Sequence, residues 1–306
     1  MEIVIIGIGQ FGSALAQIYE NHKGTRVFRV RENDPWPTLS SSSKIQKIVI
    51  ICVPTQMLPT LLEQRGASLK SVNAIVSTAK GLVREDNSTA TQYLHKNLGK
   101  SHPPLFALSG PSFASELLKG QPTALVLAGK QKSITDKLAL KLSTPQLRLY
   151  KSNDPLGVEI SGAFKNIYAI ATGLASGLGL QSNAKAALIT RSLAEMSRIG
   201  KSLGGKHLTF FGLAGVGDLV LTCSSPQSRN FRYGLGLAKD LTSKDLLSAL
   251  GTVEGLWTTE VAHKLCQKKK IRAPILETIN AIVNKHLAPK DALMGLMNRE
   301  LRHEFD

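Results

Sequence analysis

The chain has 306 residues, enough for two domains, and its composition, 42% hydrophobic and 20% charged, is that of a globular protein with a buried core. Its 38 lysines and arginines exceed its 22 acidic residues by 16, a net charge of +16 that favours anionic partners: nucleic acid, acidic membranes or phosphorylated small molecules. Aromatic residues are only 5%, which argues against a nucleic-acid-stacking surface, and no apolar run is long enough to predict a membrane span.

The cysteine and histidine patterns predict a reducing compartment and no metal site. Cys52, Cys223 and Cys266 are an odd number and lack the spacing of metal ligands or of a disulfide framework. None of the seven histidines shows metal or catalytic-triad spacing. The N-terminus does not resemble a signal peptide, so we expect a cytoplasmic protein.

The first half of the chain contains short apolar runs rich in Val, Ile and Leu, each bounded by turn residues, which predict buried strands. These runs are EIVIIG, RVFRV, KIVIICVP, NAIVSTAKG, PLFALSGP and TALVLAG. Strands that alternate with helical patterns predict a mostly parallel sheet. Residues 32–46 contain two prolines and four consecutive serines, which predicts a loop in place of a crossover helix.

From about Asn153 helical periodicity replaces the strand pattern. Asp154 is a predicted helix cap and Pro155 suits a first helical turn. We therefore predict an α/β chain of two domains, an α/β domain at residues 1–150 and a helical domain at residues 151–306.

The glycine loop after the first strand predicts dinucleotide binding. Gly7, Gly9 and Gly12 have the G-x-G-x-x-G spacing and lie between a strand and a predicted helix. This arrangement gives a tight turn, close backbone approach to a pyrophosphate, and tight packing of helix on strand. The helix N-terminus then offers N–H groups to phosphate.

Charged residues near the end of the second strand bear on the choice of cofactor. An acidic residue at this place binds a ribose 2′-hydroxyl, whereas an arginine accommodates a 2′-phosphate. Arg29 and Arg31 favour NADP, and Glu32 is suited to NAD. A solvated strand end remains an alternative for each of the three.

Polar residues at two further strand ends are candidates for ligand contact. Lys80 follows the strand of NAIVSTAKG, and Gly110 and Ser112 follow the strand of PLFALSGP. The carboxyl ends of strands line the ligand crevice of open α/β sheets. An ordinary turn is the alternative at each place.

The second half contains two groups of polar residues that suggest chemistry. Lys165 and Asn166 interrupt a run of small and apolar residues, where a lysine either extends to the surface or has a lowered pKa and exchanges a proton with substrate. Asp218 follows a glycine-rich loop and is a candidate partner for Lys165. Arg229, beside Asn230 and after Ser228, suits a phosphate dianion.

Several long motifs together resemble the bacterial NAD(P)-dependent glycerol-3-phosphate dehydrogenases. In the second half they are GVEISGAFKNIYAIATGLASGLGL, NAKAALITRSLAEM, LTFFGLAGVGDLVLTCSSPQSRN and VEGLWTT. In the first half STAKGL, LSGPSFASE and the glycine loop agree in order and spacing. The resemblance covers nearly all of the chain. It implies that residues 1–150 form a Rossmann-type dinucleotide-binding domain and residues 151–306 an all-α substrate and catalytic domain.

The resemblance also implies an activity and a set of site residues. The activity is hydride transfer between NADPH or NADH and dihydroxyacetone phosphate, giving sn-glycerol 3-phosphate for phospholipid synthesis. Lys165 would exchange the proton, with Lys80 and Asp218 as further catalytic residues. Cofactor contacts would come from Gly7, Gly9, Gln10, Phe11, Gly12, Arg31, Lys80, Ala114, Arg229 and Glu254. Substrate contacts would come from Lys80, Gly110, Ser112, Lys165, Asp218, Ser228, Arg229 and Asn230.

The chain departs from the family pattern at residues 32–46, where the family has a helix and further chain, and at Gln10 and Phe11, which replace a serine and a tryptophan. These departures keep two alternatives open: a non-catalytic or weakly active nucleotide-binding paralogue, and a sister dehydrogenase of another anionic hydroxy acid. A nucleic-acid partner is not expected, and a homodimer is left open.

Overall fold

A computed structural model of the chain describes residues 1–284, 286–297 and 303–304. The chain divides into two compact units, Met1–Glu159 and Ile160–Asp306. The division lies a few residues beyond the junction predicted near residue 151. Among the described residues, no helix has the length and apolarity needed to cross a membrane.

The first unit is built on one seven-stranded sheet, and its six predicted strands are confirmed. The strands are β1 (Glu2–Ile6), β2 (Arg26–Val30), β3 (Lys47–Ile51), β4 (Ala74–Ser77), β5 (Leu105–Ser109), β6 (Thr123–Gly129) and β7 (Leu147–Ser152). Their order is β2-β1-β3-β4-β5-β6-β7. All neighbouring pairs are parallel except β5 and β6, which are antiparallel, so the sheet is mostly parallel as expected.

Sequence analysis missed the strand β7. It lies at the edge of the sheet and pairs only with β6. Its exposed positions are Arg148, Tyr150 and Lys151, which leaves Leu147 and Leu149 as its only aliphatic residues. An edge strand beside solvent needs only one apolar face, which explains the weaker signal.

The sheet is buried on both faces, and its central strands carry apolar residues at nearly every position between their polar ends. Alternate side chains point to opposite faces. Ile3 and Ile5 of β1 therefore join one core cluster, whereas Val4 and Ile6 join the other. Helices that pack on the sheet are α1 (Gln10–Glu20), α2 (Leu58–Lys70), α3 (Ala90–Leu98), α4 (Ala114–Leu118) and α5 (Lys132–Leu142).

The connection from β2 to β3 is a loop, as predicted. Residues 31–46 form no helix or strand. Trp36 and Leu39 nevertheless pack against the core cluster that contains Val4, and the backbone N–H of Ser40 donates to the buried carboxylate of Glu2 at 2.9 Å. Two apolar side chains thus cover part of the sheet where a crossover helix would otherwise lie.

All of the regular secondary structure in the described residues of the second unit is helical. Helix α6 (Pro155–Gly177) begins in the first unit and continues into the second. The helices that follow are α7 (Ser182–Ser202), α8 (Asp218–Ser224), α9 (Arg229–Leu237), α10 (Ser243–Leu250), α11 (Glu254–Lys268), α12 (Pro274–Val283) and α13 (Pro289–Met297). The predicted cap is confirmed, because Asp154 accepts the N–H of Gly157 at 2.9 Å.

Helices α6 and α9 touch backbone to backbone. A Cβ atom added at Gly173 would lie 1.9 Å from the carbonyl oxygen of Phe231, and one added at Gly234 would lie 2.0 Å from that of Ile170. No side chain larger than hydrogen fits at either position without moving the helices apart. The small residues of α6 therefore set the spacing of this helix pair.

A buried carboxylate caps the N-terminus of α3. Glu159, on α6, accepts hydrogen bonds from the hydroxyl groups of Thr89 and Thr91 and from the backbone N–H of Thr91. Burial raises the pKa of the Glu159 carboxyl to about 7, although these hydrogen bonds act in the opposite direction. A helix start is thus held by a side chain distant in sequence.

In the second unit, too, a buried carboxylate caps the N-terminus of a helix. Glu195, on α7, accepts the backbone N–H groups of Ile275 at 2.8 Å and Leu276 at 3.0 Å, both in the first turn of α12. Burial raises the pKa of the Glu195 carboxyl to about 7 as well. Each carboxylate satisfies helix N–H groups that would otherwise be buried without an acceptor.

We expect replacement of Glu159 by glutamine to weaken the pH dependence of stability. Burial raises the pKa of Glu159 from 4.5 to about 7, so its contribution is complete below pH 4.5 and is lost as the pH rises through 7. The effect on unfolding free energy approaches about 1.4 kcal/mol per pH unit for one proton. Urea unfolding at pH 5, 6, 7 and 8 measures it.

In Glu159→Gln the decline from pH 5 to pH 8 is expected to be shallower than in the wild type. Glu63→Gln, an exposed position on α2, is the control that keeps the wild-type slope. Parallel pH curves for the wild type and Glu159→Gln would contradict the raised pKa.

Candidate functional site

The glycine loop has the backbone geometry of a phosphate-binding turn. Gly7 has φ of +91°, and a Cβ atom there would lie 2.8 Å from the carbonyl carbon of Cys52. At Gly12 a Cβ atom would lie 2.1 Å from the carbonyl oxygen of Gly7, whereas one at Gly9 would meet nothing within 4 Å. The open side of the loop is therefore at Gly9, where a ligand can approach the backbone.

The N-terminus of α1 has the features of an anion-binding helix start. Gly9 is its N-cap, no side chain caps the helix, and its first turn contains no acidic residue. The first N–H groups and the positive end of the helix dipole therefore stay available to a phosphate. Gln10 is exposed at the first helical position, while the half-buried Phe11 packs against the core.

The three charged candidates at the end of β2 have different surroundings. Arg29 forms a two-bond ion pair with Glu20, at 2.8 Å from Nε and 2.7 Å from Nη2, which lowers the pKa of the Glu20 carboxyl. Arg31 and Glu32 are exposed, and neither side chain forms an ion pair within the described part of the chain. Arg29 is therefore already paired with a carboxylate, whereas Arg31 and Glu32 are not ion-paired among the described residues.

Lys80, Gly110 and Ser112 come together at the carboxyl ends of β4 and β5. The Nζ of Lys80 donates to the Gly110 carbonyl oxygen at 3.0 Å, and the Ser112 hydroxyl donates to the same oxygen at 3.2 Å. Ala114 lies just beyond, as the first residue of α4. The half-buried ammonium group of Lys80 is therefore held by a backbone carbonyl, close to the Ser112 hydroxyl.

Lys165 is buried and paired, which decides against a surface lysine. Its side chain is only 8% exposed, and its Nζ lies 2.5 Å from Oδ1 of the fully buried Asp218. The same Nζ donates to the hydroxyl of Thr222 at 2.8 Å. A buried ammonium requires such partners, since removal of either charge would leave the other without compensation.

The local chain geometry explains how Asp218 and Thr222 reach one lysine. They lie one turn apart on α8, with their side-chain oxygens 3.3 Å from each other. A π-helix at Leu213–Gly217 leads directly into Asp218. Such wide turns are frequent at functional sites. Sequence analysis missed Thr222, although its spacing of four residues from Asp218, about one helical turn, was available as a signal.

Asn230 connects three helices of the second unit. Its amide nitrogen donates to the side-chain oxygen of Asn166 at 2.8 Å, and its side-chain oxygen accepts the backbone N–H of Gly255 at 2.9 Å. These bonds join α9 to α6 and to the first turn of α11, where Glu254 is the first residue. The amide of Asn230 is therefore fixed in orientation.

Ser228 and Arg229 form the start of α9. The Ser228 hydroxyl accepts the backbone N–H of Phe231 at 3.2 Å and so caps the helix. Arg229 is the first helical residue, and its side chain is exposed. A guanidinium group beside a helix N-terminus combines a bidentate donor with the positive end of a helix dipole, which suits a phosphate dianion.

Among the described residues, no group of three histidine, cysteine or acidic side chains is placed to hold a metal ion. The cysteines Cys52, Cys223 and Cys266 form no disulfide. The polar side chains described above are lysine, aspartate, arginine, amide and hydroxyl groups.

Two family models match the chain. Residues 33–135 match the N-terminus of NAD-dependent glycerol-3-phosphate dehydrogenase, and residues 154–294 match its C-terminus. The first match begins after the glycine loop. Together the two matches extend over most of both units.

Curated relatives and a solved structure agree with these matches. Glycerol-3-phosphate dehydrogenase, NAD(P)+, from Synechocystis is 36% identical over 308 residues, which is 100% of this chain and 96% of that protein. The Chelativorans enzyme of the same name is 41% identical over 84% of this chain and 76% of its own length. The crystal structure of glycerol-3-phosphate dehydrogenase from Coxiella burnetii, 34% identical, superposes with a TM-score of 0.86 over 97% of this chain and 99% of that one.

The fold, the matched motifs and these identities agree, and the chain belongs to the NAD-dependent glycerol-3-phosphate dehydrogenase family.

Proposed function

We propose that the chain reduces dihydroxyacetone phosphate to sn-glycerol 3-phosphate with NADPH or NADH and so supplies a precursor of glycerophospholipids. The observation that carries the proposal is the buried ion pair of Lys165 with Asp218. Family membership supplies the reaction, and the buried pair supplies a group able to perform its proton transfer.

The glycine loop fits the dinucleotide that this reaction needs. The steric limits at Gly7 and Gly12 and the uncapped start of α1 favour a pyrophosphate at Gly9. When bound, the reduced nicotinamide supplies the hydride. The residues that we assign to cofactor binding are Gly7, Gly9, Gln10, Phe11, Gly12, Arg31, Lys80, Ala114, Arg229 and Glu254.

Lys165 is the proposed general acid. As the ketone is reduced, negative charge grows on its oxygen, and the ammonium group of Lys165 neutralises that charge and donates its proton. In the reverse direction the neutral amine accepts the proton from the alcohol. Asp218 and Thr222 hold the amine in one position, since both contact its Nζ.

The phosphate tail of the substrate is assigned to the start of α9. Arg229 offers a two-pronged donor, and its exposed side chain leaves it open to a ligand. Ser228 fixes the helix start, and Asn230, oriented by Asn166 and Gly255, completes this part of the pocket. Binding of the remote phosphate orients the ketone for reaction.

Lys80, Gly110 and Ser112 are assigned to the substrate from the first unit. The contact of Lys80 with the Gly110 carbonyl places a positive charge at the carboxyl end of the sheet. We assign Lys80 a second catalytic role there, as an ammonium that stabilises the anionic substrate.

We place the enzyme in the cytoplasm, which the three free cysteines support. We expect small molecules and no nucleic acid as ligands. The net charge of +16 would attract nucleic acid, but the chain has few aromatic residues on which bases could stack. A homodimer is the assembly that we would test first, by sedimentation.

We expect Lys165→Met to lower kcat for dihydroxyacetone phosphate by about 10²–10⁴-fold, which is the range for loss of a general acid. Cofactor binding, measured by fluorescence titration, should persist. Because Asp218 would then be buried without its partner, the double variant Lys165→Met with Asp218→Asn is assayed alongside.

Lys201→Ala, at an exposed lysine in the last turn of α7, is the control with full activity. Near-normal kcat in a folded Lys165→Met protein would refute the proposed role. No turnover by the wild type with either cofactor would refute the proposed function, and turnover of a different hydroxy acid instead would identify a sister dehydrogenase.

We expect Arg229→Met to separate phosphorylated from unphosphorylated substrate. Loss of a charge-assisted contact costs about 1.5–3 kcal/mol, so kcat/KM for dihydroxyacetone phosphate should fall about 10–100-fold. The low kcat/KM for dihydroxyacetone itself should change much less. Arg232→Met, an exposed arginine on the same helix, is the matched control. Equal losses for the two substrates would argue against a phosphate contact.

A further inference from the structure

Arg65, on α2, forms hydrogen bonds to the backbone of the turn that follows β2. The Nη2 atom of Arg65 donates to the backbone carbonyl oxygen of Glu32 at 3.2 Å and also to that of Asp34. Arg65 is half-buried, and α2 is anchored in the core by Leu58 and Leu69, which are fully buried. One guanidinium group therefore connects two backbone carbonyl groups of the turn to a helix that is anchored in the core.

The turn is also closed on itself. The backbone N–H of Arg31 donates to Oδ2 of Asp34 at 2.8 Å, and the backbone N–H of Asp34 donates to the carbonyl oxygen of Arg31 at 3.3 Å. Beyond the turn, Trp36 and Leu39 pack against the core. The segment is irregular, yet hydrogen bonds and apolar contacts fix its first residues.

This turn lies where dinucleotide-binding sheets read the adenosine ribose. An arginine just after the second strand accommodates a 2′-phosphate. Because Arg29 is committed to Glu20, Arg31 is the arginine at this strand end whose side chain remains unengaged by a carboxylate within the described residues. The backbone position of Arg31 then depends on the turn that Arg65 and Asp34 hold.

We propose that Arg65 is a positioning residue for cofactor choice: it fixes the turn from Arg31 to Asp34 so that Arg31 is presented to the 2′-phosphate of NADPH. The proposal rests on the proposed function. Arg65 itself acts on the backbone of the turn. The carbonyl oxygens of the turn accept its hydrogen bonds. Its contribution to NADPH binding is that it keeps the backbone of Arg31 in place.

Direct titration of NADPH and NADH by fluorescence tests the proposal without requiring turnover. In Arg65→Met the Kd for NADPH is expected to rise about tenfold, the loss expected for a misplaced charge-assisted contact, while the Kd for NADH changes little. In steady-state assays the change should appear in KM for NADPH rather than in kcat. For Arg65→Lys, which keeps the charge but has a shorter side chain, we expect a Kd for NADPH between those of the wild type and Arg65→Met.

A double-mutant cycle shows whether Arg65 acts through Arg31. In an Arg31→Ala background, Arg65→Met should cause no further change in the ratio of the two Kd values. Lys70→Met, which removes an exposed cation from the same helix, is the control with the wild-type ratio. A thermal melt of each variant reports whether it is folded.

Three results would overturn the proposal: an unchanged Kd ratio in folded Arg65→Met or Arg65→Lys, equal weakening of both cofactors, or a shift of the ratio that persists without Arg31. Failure of the proposed function gives a different pattern. In that case the wild type binds NADPH with the expected dependence on Arg65 but does not reduce dihydroxyacetone phosphate.

Discussion

The buried ion pair between Lys165 and Asp218 is the constraint on which the rest of the second unit depends. An ammonium group inside a helical core is tolerated only with a carboxylate and further hydrogen-bond partners around it. The π-helix before α8, the spacing of Asp218 and Thr222 on α8, and the position of Lys165 on α6 together satisfy that requirement. The same arrangement holds the ammonium group of Lys165 in one defined place, which the proposed proton transfer to a ketone oxygen requires.

Much of the fold was predictable because its signals are local. Short runs rich in Val, Ile and Leu predicted six strands, and Asp154 with Pro155 marked the start of α6. The edge strand β7 was missed because half of its residues face solvent. The buried acceptors Glu159 and Glu195 were missed for another reason: each caps a helix about 70 or 80 residues away in the sequence, and no local pattern announces such a pairing.

In the candidate site, too, the local features were predictable from the sequence and the contacts between distant elements were not. The glycine loop and the pairing of Lys165 with Asp218 followed from residue types and motif order, and their geometry is as expected. The neutralisation of Arg29 by Glu20 and the support of the β2 turn by Arg65 depend on contacts between distant elements. Sequence spacing cannot distinguish a charged residue that is free for a ligand from one that is already paired.

The backbone contact of α6 with α9 fixes how far apart these two helices lie, because the contacts at Gly173 and Gly234 are with main-chain atoms. Lys165 lies on α6 and Arg229 on α9. In the proposed function these two side chains act at opposite ends of the substrate. Glycines that never meet the ligand would then limit the length of substrate that the enzyme accepts.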